Sequence, residues 1–342
     1  MGKEVGTMNQ RELERFDMTK KPMRTAWYLR PLTYILSAPD VKKHKAIITK
    51  TRAEGLKPPY LMLCNHNAFL DFKVATKAIY PDRANYIVAI DGFIGREGLL
   101  RRVGCICKRK FTEDITLIRQ CKRVIQNGDV LMIYPEARYS LCGTTAVLPA
   151  SLGKLCKLLG VPVVTFICHG HHIDSPFWNL HPRGIRPTEA EFTVQYTADE
   201  LKAATPDEIN ARLVEAFQYD EYAWQKARGI RVTYEKRAEG LEKVLYQCPH
   251  AKRNSAWQAR ARHSTARRAA GAGTIPSSAN WKPKPEKPSF RTSPTGTNGS
   301  AQTSAPRSRR ARTTPVRLRS RCVRCRTQRS SSCSARGRSV TT

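Results

Sequence analysis

The sequence predicts an α/β protein: a mostly parallel sheet flanked by helices, preceded by an N-terminal helical segment and followed by a disordered basic tail. Three observations predict it. Short apolar or β-favouring runs recur between residues 60 and 196, helical segments with recognisable ends lie between them, and the composition changes abruptly after His250. The implied divisions are 1–45 for the N-terminal segment, 46–250 for the α/β domain and 251–342 for the tail.

Taken in order, residues 9–18 have the pattern of a short polar helix. Residues 22–37 carry Met23, Trp27, Tyr28, Leu32, Ile35 and Leu36 beside Arg24 and Arg30. Aromatics mixed with cations suit a segment lying in a membrane interface, and the alternative is an amphipathic helix packed on the domain. Pro31 is expected to kink or divide that helix. Strands are predicted at Tyr60–Cys64, Tyr86–Ile90, Cys105–Cys107, Val130–Tyr134, Val161–Ile167 and Phe192–Tyr196. Thr112 is placed to cap a helix through Ile115, Ile118, Cys121 and Ile125, with Gly128 as its stop. Thr205-Pro206-Asp207-Glu208 forms a capping box with proline at the first helical position. Ala238–Tyr246 is helical in pattern. Short buried strands alternating with helices favour a parallel sheet.

Charge divides the 342-residue chain sharply. The net charge is +32, and residues 251–342 hold 22 Lys and Arg against one acid, Glu286. That Arg/Ser/Thr/Pro/Gly tail cannot bury enough apolar area to offset its ordering entropy, which predicts disorder. The basic excess suits anionic lipid, phosphorylated substrates or nucleic acid. Cys64, Cys105, Cys107, Cys121, Cys142, Cys156 and Cys168 are scattered through apolar stretches, as expected of small core residues in a reducing compartment. The first residues lack a secretory signal's apolar stretch, and no run approaches the ~18 apolar residues of a spanning helix. The expected location is therefore cytoplasmic, peripheral on the inner face of the cell membrane.

The stretch richest in chemistry is Leu61-Met-Leu-Cys-Asn65-His66-Asn-Ala-Phe-Leu-Asp71. A buried strand runs into Asn-His, and ligands bind at the C-terminal ends of such strands. An Asp one helical turn later can turn back to the imidazole, fix its tautomer and raise its basicity. No Gly-x-Ser-x-Gly nucleophile accompanies the pair, so a substrate hydroxyl is the expected nucleophile. Alone, the spacing favours a capping Asn and a structural His over a catalytic pair.

With its neighbours the chain resembles the glycerophospholipid acyltransferase family, which includes the lysophosphatidate acyltransferases. Asn65, His66 and Asp71 match the family's Asn-His-x4-Asp block. Gly104-Cys-Ile-Cys-Lys-Arg109 matches its second block, with Ile106 where Phe is common. Pro135-Glu136-Ala137-Arg138-Tyr139-Ser140 resembles its Glu-Gly-Thr-Arg-Ser block, with Ala for Gly and the Arg one position early. Val161-Pro162-Val163-Val164 matches the fourth. The resemblance implies transfer of a fatty acyl group from a thioester to a hydroxyl of lysophosphatidate or a related glycerol-phosphate lipid, in phospholipid biosynthesis. His66 and Asp71 are then catalytic, and Asn65, Arg109, Glu136, Arg138 and Ser140 bind substrate. The implied donor is acyl-CoA or acyl carrier protein, both substrates, with no cofactor and no metal.

Other features fit that reading less directly. His169, His171 and His172 follow a predicted strand, on which adjacent side chains alternate faces, so pocket lining or surface is expected. The glycines 92, 95 and 98 lack phosphate-loop spacing and are expected to shape a substrate channel. Cys248-Pro249-His250 and Cys322-Val-Arg-Cys325 are each incomplete as zinc sites. The alternative function is a basic nucleic-acid- or anionic-lipid-binding protein acting through the Arg-rich tail; specific nucleic-acid recognition is not expected, because the tail has few aromatics. A tail read from a shifted frame is a further alternative.

Overall fold

The computed structural model describes residues 17–109 and 114–245, and the backbone alone of 257–260 and 263–266. The expected helix at 9–18 lies largely outside the described residues, and its last two, Asp17 and Met18, are not helical.

The helical and strand pattern builds a seven-stranded sheet. Helix α1 (Leu29–Lys43) leads to β1 (Ile47–Thr51), then β2 (Leu61–Cys64), α2 (Leu70–Ile79) and β3 (Ala84–Ala89). Two short helices, α3 (Ile90–Phe93) and α4 (Glu97–Arg102), precede β4 (Cys105–Lys108). Next come α5 (Ile115–Gln126), β5 (Val130–Ile133), α6 (Leu152–Leu159), β6 (Val163–His169) and the single turn α7 (His171–Asp174). The chain continues through β7 (Glu189–Tyr196), α8 (Ala198–Ala203), α9 (Pro206–Ala216) and α10 (Glu221–Ala227).

The strand order is β1-β7-β6-β2-β5-β3-β4, and every neighbouring pair is parallel except β6 with β7. From β2 the chain crosses to β3 on one side, and from β5 it crosses back to β6 on the other. This reversal around β2 opens a crevice at the strands' C-terminal ends, where open α/β sheets bind ligands.

Alternation along β2 supplies both cores. Met62 and Cys64 pack with Val74, Ala75 and Ala78 of α2, while Leu61 and Leu63 pack with Val124 of α5, Cys156 of α6 and Leu213 of α9. Close approach of α6 and α9 needs Gly153, where an added Cβ would lie 2.1 Å from the Pro206 carbonyl oxygen. The capping box at Thr205 and Glu208 forms as expected.

Several expectations are corrected. Pro31 does not divide α1, because it sits in the first turn, where its missing N–H has no intrahelical acceptor to lose. Residues 22–45 are also joined to the domain: the Thr25 hydroxyl donates to the Ala84 and Val103 carbonyls, and Arg24 pairs with Asp129. Asp114, not Thr112, caps α5 by accepting from the Leu117 N–H, and Thr112 itself lies outside the described residues. Residues 238–245 contain only a 3₁₀ turn, Leu241–Lys243. Strand β1 escaped detection because it is an exposed edge strand in which only Ile47 and Ile48 are apolar and Thr49, Lys50 and Thr51 complete the run. Within 251–342, two strands, β8 (Trp257–Arg260) and β9 (His263–Ala266), pair as a hairpin, a local structure that composition does not reveal. The Cys248 and Cys322 motifs and the rest of the tail lie outside the described residues.

Candidate active site

Three adjacent strand ends supply the site. From β2 come Asn65 and His66, from β5 come Tyr134 and Glu136, and from β6 come Cys168, His169 and, after a turn, His171. Asp71 enters from the first turn of α2, where a carboxylate is also favoured by the helix dipole.

The spacing between His66 and Asp71 performs as the sequence implies. His66 Nδ1 lies 3.3 Å from Asp71 Oδ2, and the same oxygen accepts from the backbone N–H groups of Asn67 at 2.6 Å and Ala68 at 2.9 Å. Oδ1 is held separately by His171 Nδ1 at 2.6 Å. Burial works to raise the Asp71 pKa, but hydrogen bonds from His171 and His66 overcome it and hold the carboxyl at about 2. Asp71 is therefore an anion at neutral pH. His66 lies between two aromatic rings, Tyr134 and Tyr139, each with its centroid 4.2 Å away. Its Nε2 has no hydrogen-bond partner among the described residues, and its side chain is 24% exposed, enough to meet a substrate.

Asn65 is fully buried and spends its amide on structure. Its Nδ2 donates to the Cys168 carbonyl and its Oδ1 accepts from the Cys168 N–H, stitching the end of β2 to β6. Ser140 is similar: its N–H donates to the His66 carbonyl at 2.7 Å, its hydroxyl donates to the Thr144 carbonyl, and its oxygen accepts from the Gly143 N–H. Both residues hold the loops that carry His66, and neither presents an unengaged polar group to a substrate.

Glu136 is buried, accepts from the Ala146 N–H at 3.2 Å, and receives the Tyr219 hydroxyl at 3.2 Å. Burial outweighs these bonds and pushes its carboxyl up to about 7. The turn that places it uses Ala137 at φ 56°, a left-handed conformation that leaves Arg138 exposed and Tyr139 turned against His66. Arg109 is exposed just beyond β4, three strands from β2 on the same sheet edge. Three strand spacings make roughly 14 Å, much of which an extended arginine and substrate can span together.

Sequence reasoning missed Asn67, Tyr219 and Glu221, and gave His171 no role beyond pocket lining or surface. Tyr219 also bonds Asn67 Oδ1, and Asn67 Nδ2 donates to the Cys168 carbonyl. Glu221 accepts the Gly170 N–H with both oxygens, fixing the turn from β6 into α7. That turn needs glycine: Gly170 has φ 88°, and an added Cβ would lie 2.9 Å from the Trp224 ring. The histidines do not alternate on a strand, because the chain turns at Gly170 and buries both His171 and His172.

Asp71, Cys168 and His171 bring three potential ligand atoms within 4.8 Å of one another. The donor chemistry suits hydrogen bonding better than a metal. Burial pushes the Cys168 thiol well above its usual range, and the Asp71 oxygens already accept from His66, His171 and two backbone N–H groups. The small cavity between α1 and α2, lined by Arg30, Thr76 and Tyr86, lies near the other end of β3 and takes no part in the site.

Residues 41–169 match the family model described as Acyltransferase. No curated protein matches the chain significantly in sequence. Among solved structures, the chain is similar to a 1-acyl-sn-glycerophosphate acyltransferase, PlsC, from Thermotoga maritima. The TM-score is 0.44 at 12% identity, covering 59% of this chain and 81% of that one.

Proposed function

We propose that the chain, whose residues 41–169 match the Acyltransferase family model, moves a fatty acyl group from a thioester to a hydroxyl of lysophosphatidate or a related glycerol-phosphate lipid. The observation that carries this reading is His66, held by Asp71 through Nδ1 with Nε2 unengaged beside an opening. Among the described residues no protein nucleophile competes at the site: burial pushes the Cys64 and Cys168 thiols well up, and the Ser140 hydroxyl is engaged within its loop. A substrate hydroxyl fits as the attacking group.

In the proposed reaction His66 Nε2 takes the hydroxyl proton as the oxygen attacks the thioester carbonyl. The tetrahedral oxyanion collapses with cleavage of the carbon–sulfur bond. The imidazolium returns its proton to the departing sulfur, giving ester and thiol. Asp71 stabilises the imidazolium without itself taking the proton. Arg109, with Arg138 assisting, binds the acceptor phosphate, for which a permanently charged planar fork is suited. Glu136 shapes the acceptor side of the crevice through Tyr219.

A membrane surface is the proposed place of work. Exposed apolar residues follow successive strands at the site's edge: Phe69 after β2, Ile94 after β3, Ile115 after β4, and Leu141 and Val147 after β5. Exposed Arg96, Arg109 and Arg138 follow β3, β4 and β5 at the same edge. Apolar groups interleaved with arginines suit an anionic lipid surface. Among the described residues no helix is long and apolar enough to cross a membrane.

The test is an acyl-transfer assay of the full chain, with acyl-CoA and acyl carrier protein as donors. Acceptors are lysophosphatidate, glycerol 3-phosphate and neutral lysophospholipids. Transfer to a phosphate-bearing acceptor is expected; transfer to none of them, with either donor, sinks the proposal.

A further inference from the structure

His171 lies two residues beyond the segment matched to the family, is fully buried, and makes a closer hydrogen bond to Asp71 than His66 does, 2.6 Å against 3.3 Å. A carboxylate anion only accepts, so His171 Nδ1 carries a proton and donates it to Asp71 Oδ1. Its Nε2 has no hydrogen-bond partner among the described residues.

The position is built. Gly170 makes the turn, Glu221 holds the Gly170 N–H, and Asn65 and Asn67 both bind the Cys168 carbonyl just upstream. Four residues thus cooperate to place one imidazole against Asp71. With Oδ1 tied to His171, the carboxylate plane is fixed and Oδ2 faces His66, Asn67 N and Ala68 N.

We propose that His171 is a positioning residue for acyl transfer: its Nδ1–H keeps the buried Asp71 ionised and turned toward His66, making His66–Asp71–His171 one functional unit. This rests on the reading of His66 as the base. Without the His171 donor, Oδ1 is buried and unpaired, and Asp71 takes up a proton at higher pH. Protonated Asp71 no longer stabilises an imidazolium on His66. The loss appears in turnover and in its acid limb, not in substrate binding.

Other titratable groups feel the Asp71 charge: the Cys64 and Cys168 thiols, Tyr134, Tyr139, Tyr219, His172 and Glu221. Burial keeps the thiols and phenols neutral throughout the acid limb and pushes His172 down to about 3. Burial pushes Glu221 up to about 7, so Glu221→Gln serves as the control for its titration.

His171→Phe keeps most of the ring volume and removes the donor, while His171→Asn returns an N–H near the Nδ1 position. The full chain is assayed across pH 5–9 with melting curves for each variant. His171→Phe is expected to lower kcat about 10- to 100-fold with KM unchanged and to move the acid limb up by about one unit. His171→Asn should recover to within about threefold of wild type. A purely structural His171 would lower melting and active fraction together and leave the pH profile of the remaining enzyme in place. That outcome overturns the proposal, as does equal loss in both variants. Proton NMR separates this from failure of the His66 reading. A downfield imidazole N–H signal from the His171–Asp71 bond should persist in His66→Ala and vanish in His171→Phe. Its persistence in His171→Phe also overturns the proposal, whatever the activity.

Discussion

The Tyr219 hydroxyl donates to Glu136 Oε1 at 3.2 Å, a buried bond joining residues 83 positions apart. The same hydroxyl reaches Asn67 Oδ1, next to His66, so the loops carrying Glu136 and His66 share one hydrogen-bonded pivot. Glu136 in this setting is a buried acid that gives up its proton reluctantly, because burial outweighs its bonds.

That reluctance has a sign. The Glu136 carboxyl is raised from about 4.5 unfolded to about 7 folded, so the folded state binds the extra proton between those values. Stability from this group is full below about 4.5 and is lost as pH rises through about 7. Glu221 acts in the same direction, also from about 4.5 to about 7. Asp71, lowered to about 2, contributes above about 3.8 and is lost only at lower pH. Denaturant unfolding of the wild type should therefore weaken between pH 5 and 8. Glu136→Gln should remove up to roughly 3 kcal/mol of that decline, since Gln still accepts from Ala146 and Tyr219. An unchanged slope in Glu136→Gln would show that Glu136 titrates normally.

Much of this arrangement was legible in the sequence where chemistry is local. His66 and Asp71 are five residues apart, and an apolar strand running into a helix start forces them together. The sheet was legible through its buried strands, each a short apolar run between turns. Tyr219 was not, since it reaches Glu136 only after α9 has packed against the sheet. His171 was noticed but assigned to pocket lining or surface, because strand alternation was applied to residues that lie past the turn at Gly170. Asn65 and Ser140 were seen at the site, but their hydrogen bonds lie within the protein, a distinction that depends on what surrounds them.

Arg109 and Arg138 are both exposed, yet only Arg109 is expected to dominate acceptor binding. Arg109→Ala should raise KM for lysophosphatidate about 10- to 100-fold, the worth of a charge-assisted phosphate contact. KM for the thioester should barely move, and a monoacylglycerol without phosphate should bind the variant and wild type alike. Arg138→Ala should have the smaller effect. Parallel losses for donor, phosphate acceptor and neutral acceptor would remove the assignment.

The tail and the rim should contribute to membrane binding by different physics. A chain ending at residue 250 loses 22 cations and one acid, and is expected to keep activity toward soluble acceptors. Its binding to anionic vesicles should weaken, with a shallower dependence on salt. Phe69→Ser with Val147→Ser in the full chain should instead weaken binding that persists at high salt, because apolar insertion is not screened. Cosedimentation at two salt concentrations separates these cases. Equal salt slopes for the truncated and full chains would exclude an electrostatic role for the tail.

The chemical step makes the sharpest demand. If His66 takes the hydroxyl proton, His66→Ala should lower kcat by ~10²–10⁴ with little change in KM. Some stability is also lost, about 1–3 kcal/mol, because two ring contacts with Tyr134 and Tyr139 disappear. Asp71→Asn should be severely impaired, since an amide neither holds the required tautomer nor stabilises the imidazolium. It should also melt lower, because Asp71 accepts from two backbone N–H groups and two imidazoles. Residues acting as one unit are non-additive, so the double variant should turn over hardly more slowly than His66→Ala alone. Rates measured well below each variant's melting temperature keep stability out of the comparison. A double variant slowed by the product of the two single losses would mean that His66 and Asp71 act separately. A folded His66→Ala near wild-type speed would mean that another group moves the proton.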